Sequence, residues 1–150
     1  MIPVRSWLVS TVVLQAGRKQ PRTLLLRRTK AAMRGEWSYV AGGVETGETA
    51  PQAIRRELLE ETGLIASRLY SADFCEQFYE AQRASICIVP AFVALVDPEA
   101  TITLNAEHDD WRWVTITEAI ELVPFGGQRR LFEHVVENFI RRPPSRWLEV

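Results

Sequence analysis

The chain has 150 residues, 47% hydrophobic and 25% charged, with a net charge of −1. These values fit one soluble domain spanning residues 1–150 with its own core, and exclude bulk electrostatic attraction to nucleic acid or a membrane surface. The opening "MIPVRSWLVS" does not read as a signal peptide, and no stretch approaches the ~20 apolar residues of a membrane span. A cytoplasmic location is expected.

In chain order, "RSWLVSTVVLQAG" reads as a strand rich in β-branched and aromatic residues. "RKQP" turns the chain and "RTLLLRRT" returns as a second strand. The loop "KAAMRGE" leads to "WSYVAGGVETGE", short strands joined by glycine turns. Thr49 with Gln52 forms a capping box, Pro51 sits in the first turn, and a helix runs to about Thr62 with Gly63 as its stop. "SRLYSADFCEQFYE" and "SICIVPAFVALV" read as two longer strands. The second is apolar on both faces, hence central, with Pro90 implying a bulge or an unpaired position. Cys75 and Cys87 on these strands have no metal or redox spacing and read as small buried hydrophobes. "NAEHDD" is expected as a loop and "WRWV" as a short strand. Thr115 with Glu118 opens a short helix ending before Pro124. From Gln128 to about Arg141, Leu131, Phe132, Val135, Val136, Phe139 and Ile140 recur at helical spacing as a core stripe. His134 in that helix carries no assigned role. The fold class is mixed α/β (α+β), one sheet covered by helices.

Glu57, Glu60 and Glu61 break a local rule. Like charges three and four residues apart repel, and they sit at the unfavourable end of the helix dipole. At 100° per residue the three share a face roughly 100° wide, bordered by Ile54 and Leu58. Two explanations compete. The acids belong to a surface helix and pair locally, as Arg56 and Glu60 would. Alternatively they bind a hard divalent cation, which prefers several carboxylate oxygens. The glycine turn "AGGVETGE" just before the helix is of a kind that lets backbone approach an anion closely.

Residues 42–64, "GGVETGETAPQAIRRELLEETGL", match the pattern G-x5-E-x7-R-E-U-x-E-E-x-G-U, with U aliphatic. Gly42, Glu48, Arg56, Glu57, Leu58, Glu60, Glu61, Gly63 and Leu64 fill every constrained position. The stretch resembles the box of the Nudix hydrolases, and the resemblance decides for the cation. It implies a mixed sheet between helices, with the box as loop, helix and loop. It also implies hydrolysis of a pyrophosphate bond with Mg2+ or Mn2+. Carried over, Glu57, Glu60 and Glu61 would be metal ligands, one of them a candidate base for the attacking water, and Arg56 would orient a glutamate. Glu48 would brace the loop or reach a metal through water, and the Ala41 carbonyl would be a further ligand. Val40-Ala41-Gly42 stands where the family often has Pro-Gly-Gly, a difference of backbone shape.

Beyond the box, "EWSYVAGG" and "AEHDDWRWV" resemble the dihydroneopterin triphosphate pyrophosphatase branch, where an acid matching Glu107 approaches the metals from across the site. His108 reads as a packing or loop histidine. Arg28 (or Arg27) is a candidate phosphate binder, Trp37 a ring-stacking or core aromatic, and Gly42 and Gly43 would let substrate approach the backbone. The resemblance thus implies a small-molecule phosphoanhydride substrate, and the near-neutral charge argues against a nucleic acid or membrane partner. Dihydroneopterin triphosphate is preferred. The alternatives are canonical or oxidised nucleoside triphosphates, dinucleoside polyphosphates, nucleotide sugars, and a non-catalytic nucleotide sensor.

Overall fold

A computed structural model describes all residues, 1–150. Eight strands form one mixed sheet: β1 (Val4–Arg5), β2 (Leu8–Gln15), β3 (Thr23–Arg28), β4 (Trp37–Ser38), β5 (Val40–Gly43), β6 (Arg68–Glu80), β7 (Ser85–Val96) and β8 (His108–Val114). The helices are α1 (Ala50–Thr62), α2 (Ile116–Leu122) and α3 (Gly126–Val135). β7 is central, running parallel to β1 and β2 and antiparallel to β6. β2 also pairs β3 and β5, and β3 pairs β4 and β8, all antiparallel.

Alternation along the strands builds two cores. Val9 and Val13 of β2, Leu24 and Leu26 of β3 and Val40 of β5 meet Ala53, Ile54 and Leu58 of α1 on one face. Val12, Leu14, Leu25 and Tyr39 point the other way, against Leu131, Phe132 and Val135 of α3. This is the period-two geometry of a sheet covered on both faces.

α1 begins and ends where its caps dictate. Thr49 Oγ1 accepts from the Gln52 N–H at 3.4 Å, and Gln52 Oε1 accepts from the Thr49 N–H at 2.9 Å. Gly63 takes φ +73° and its N–H donates to the Leu59 carbonyl at 2.8 Å. Only a residue without a Cβ adopts that conformation cheaply.

Pro90 falls where its missing N–H costs least. β1 pairs β7 at Ile86 and Cys87, whereas β2 pairing starts at Ala91, so Pro90 lies in the gap between the two partners. On the other edge, β6 bulges between Ser71 and Cys75, and Asp73 takes φ 54° there.

Four expectations are corrected. The first strand is two, broken at Ser6-Trp7 as β7 exchanges one neighbour for the other. β8 begins at His108, inside the expected loop, because the 108–110 segment pairs with Arg27 and Arg28. The last helix starts at Gly126 and becomes a π-helical turn, Val136–Ile140, where the Asn138 side chain donates to the His134 carbonyl at 3.0 Å. Cys87 of the central β7 is buried but Cys75 is exposed, since it lies on β6, an edge strand with β7 as its one strand partner. No helix is long and apolar enough to cross a membrane.

Candidate functional site

The site forms where α1 packs over β5 and the end of β3. Glu57 and Glu61, one turn apart, face inward and are 9% and 2% exposed. Glu60 points outward, its side chain 54% exposed. The three glutamates share a helical face, yet the sheet buries only the side nearest β5.

Arg56 ties the box together. Its Nε donates to Glu48 Oε1 at 2.6 Å and its Nη2 to Glu48 Oε2 at 3.0 Å, a two-pronged pair. Nη2 also donates to the Gly43 carbonyl at 2.8 Å, while Nη1 donates to Glu57 at 2.7 Å and Glu60 at 3.3 Å. Glu48 in turn accepts the Glu45 N–H at 2.9 Å, so it braces the loop as expected. A Cβ at Gly42 would overlap the carboxyl carbon and Oε1 of Glu57 and lie 2.6 Å from Oε2, so it would push that carboxylate out of its place. The two glycines therefore support Glu57 and Arg56 within the protein.

Distant segments complete the site. The Thr103 N–H donates to the Thr62 carbonyl at 2.8 Å, laying the 97–107 loop across the end of α1. Thr29 holds the far end of that loop: its N–H donates to the Glu107 carbonyl at 3.0 Å and its hydroxyl to the Ala106 carbonyl at 2.7 Å. One ligand atom each of Glu61, Glu107 and His108 then lies within 4.8 Å of the others. Lys30 Nζ sits 2.7 Å from Glu107 Oε1.

The electrostatics are those of a crowded acidic pocket. Burial, with Glu57 and Glu107 beside it, pushes Glu61 up to about 9, opposed by Arg28 and a hydrogen bond from the Ala41 backbone. Burial also raises Glu57, against the pull of Arg56. The hydrogen bond from Lys30 holds Glu107 below its ordinary value. Burial, assisted by Arg28, lowers His108 and favours its neutral ring.

A divalent cation fits this pocket. Glu61 Oε2 and His108 Nδ1 are buried without a hydrogen-bond partner. Carboxylate oxygens with an imidazole nitrogen suit Mg2+ or, with the nitrogen included, Mn2+. A cation would also replace the proton that Glu61 otherwise retains.

The expected residues thus separate. Glu57, Glu61 and Glu107 come together, and Arg28 joins them through its register pairing with His108. Arg27 points to the opposite face, bonded to Asp109 at 2.7 Å. Trp37 lies in the core, one of the two places expected for it, 9% exposed and with the Arg112 guanidinium 4.6 Å from its ring centre. His108 and Lys30 were missed. The signal for His108 was its place beside Glu107 at the start of a strand; nothing local marked Lys30.

The NUDIX domain family model matches residues 6–135. An octanoyltransferase of Myxococcus xanthus is 37% identical over 129 residues, covering 85% of this chain and 35% of that protein. The chain thus spans about a third of that relative's length. An RNA pyrophosphohydrolase of Rickettsia bellii is 28% identical over 118 residues, 69% of this chain and 72% of that one. The dihydroneopterin triphosphate pyrophosphohydrolase of E. coli superposes with a TM-score of 0.72 at 25% identity, covering 91% of this chain and 99% of its own.

Proposed function

The chain belongs to the Nudix family, and from that premise we propose that it is a pyrophosphohydrolase dependent on Mg2+ or Mn2+, acting on a nucleoside-triphosphate-like substrate. The observation that carries this reading is the convergence of Glu61, Glu107 and His108 within 4.8 Å, with two of their polar atoms buried and unpartnered.

Glu57, Glu61, Glu107 and His108 would hold the cation, with the outward Glu60 and the Ala41 carbonyl as further ligands. The chemistry supplied by a cation held there would be neutralisation of phosphate oxygens and a lower pKa for an attacking water. The protein's own part is placement. Arg56 fixes the Glu57 carboxylate while Glu48 fixes Arg56, so that the acid is held before substrate arrives. Gly42 leaves the space in which that carboxylate stands. Arg28, whose Nε is buried without a partner, lies beside the cluster as a guanidinium for phosphate.

Dihydroneopterin triphosphate, cleaved to the monophosphate and pyrophosphate, is the preferred substrate. Its support is the resemblance outside the box together with the E. coli neighbour. A second reading is a pyrophosphate bond carried by RNA, favoured by the RNA pyrophosphohydrolase relative.

Turnover of a panel is the test: dihydroneopterin triphosphate, dGTP, dATP, 8-oxo-dGTP, a dinucleoside polyphosphate, a nucleotide sugar and a 5′-triphosphate RNA, each with Mg2+ and with EDTA. Metal-dependent release of pyrophosphate is expected, with the highest kcat/KM for the pterin. Full turnover in EDTA ends the metal assignment, and a clear preference for another substrate ends the pterin one. No turnover of any compound, with nucleotide binding intact, makes the domain a sensor.

A further inference from the structure

Building on that metal and phosphate reading, we infer that Lys30 is a stand-in cation for the metal centre, and that metal binding frees it to hold the substrate's polyphosphate. Its ammonium lies 2.7 Å from Glu107, one of the clustered acids. The two bonds from Thr29 to Ala106 and Glu107 fix the backbone on both sides, so Lys30 leaves the strand within reach of that carboxylate. Lys30 stands at the bend just after β3, two residues beyond Arg28, and both positive charges lie close enough to Glu107 and His108 to act on them.

A divalent cation on Glu107 would bring two positive charges against the ammonium. The ion pair offers little resistance, because its side chains are 56% and 39% exposed and such pairs are weak. Lysine's four-carbon stem allows the charge to swing away without moving the backbone. A phosphate chain arriving at the cation is the nearest new source of negative charge. Arg56 is not available to meet it, being committed to Glu48, Glu57 and the Gly43 carbonyl. Lys30 therefore changes partner, from Glu107 to a phosphate oxygen, when the centre is loaded.

The two roles have opposite signs, which makes them testable by binding alone. Mn2+ affinity is measured by calorimetry for the wild type, Lys30→Met and Lys30→Arg. Affinity for a methylene-bridged nucleoside triphosphate is then measured at saturating Mn2+. Lys30→Met is expected to bind Mn2+ about two- to five-fold more tightly, the scale of an exposed ion pair. It is expected to bind the analogue about tenfold more weakly, the scale of one charge-assisted hydrogen bond. Lys30→Arg should stay near the wild type in both. Unchanged or weaker Mn2+ binding by Lys30→Met overturns the stand-in role, and unchanged analogue binding overturns the phosphate role. A purely structural Lys30 would not shift the two affinities in opposite directions. A wild-type chain that binds no Mn2+ removes the metal reading itself, and the Lys30 inference with it.

Discussion

Without metal, stability should fall as pH rises above neutrality, because of Glu61. Its carboxyl titrates near 9 in the folded chain, against 4.5 when unperturbed. Between those values the folded state holds a proton that the unfolded state has lost, so folding weakens with increasing pH. With close to one proton's difference, the slope between pH 7 and 8 is about −1.4 kcal/mol per unit. For a domain of this size that is about 3–6 °C in Tm. Glu61 is the group whose shift spans the whole interval. Glu76, raised by burial to about 7, contributes mostly below it. His108, lowered from 6.5, acts with opposite sign and only below its ordinary value. Cys87, raised from 9.0, enters only at higher pH, and Glu57 acts in the same direction as Glu61. Urea unfolding in EDTA at half-unit steps measures the slope, and Glu61→Gln should remove most of it. Saturating Mg2+ should flatten it as well, since the cation takes the proton's place. Stability that is flat or rising from pH 7 to 8 in the metal-free wild type, or a slope unchanged in Glu61→Gln, refutes the reasoning.

Gly42→Ala should lower activity by pushing the Glu57 carboxylate away from Arg56, with a smaller effect on stability because the side-chain end that must give way can rotate. Urea unfolding and steady-state kinetics together check this. Arg56→Lys keeps the charge but loses the two-pronged bond to Glu48, so a stability loss of about 1–3 kcal/mol is expected, with kcat falling more than KM rises. Equal stability of Arg56→Lys and wild type would show that one point charge suffices. A thiol reagent should modify one cysteine per folded chain, Cys75, and both in urea; mass spectrometry of the labelled peptides decides.

Much of α1 was legible because its signals are local. Thr49, Gln52 and Gly63 fix the ends through bonds spanning a few residues, and the spacing of Glu57, Glu60 and Glu61 fixes their common face. Pro90 likewise marked an interruption in strand pairing before any partner was known. The sequence by itself therefore determined the box helix, its acids and the hydrophobic faces of the main strands. Tertiary structure alone decided the rest. Helical spacing does not say which edge of an acidic face is buried, and packing against β5 chose Glu57 and Glu61 over Glu60. Composition does not distinguish Arg27 from Arg28, and strand parity sent one to Asp109 and the other to the cluster. Glu107, His108 and Lys30 are far from the box along the chain, and they reach it through the pairing of β3 with β8 and the bonds of Thr29. Periodicity is a property of neighbouring residues, whereas a metal centre joins residues that only a closed sheet brings within a few ångströms.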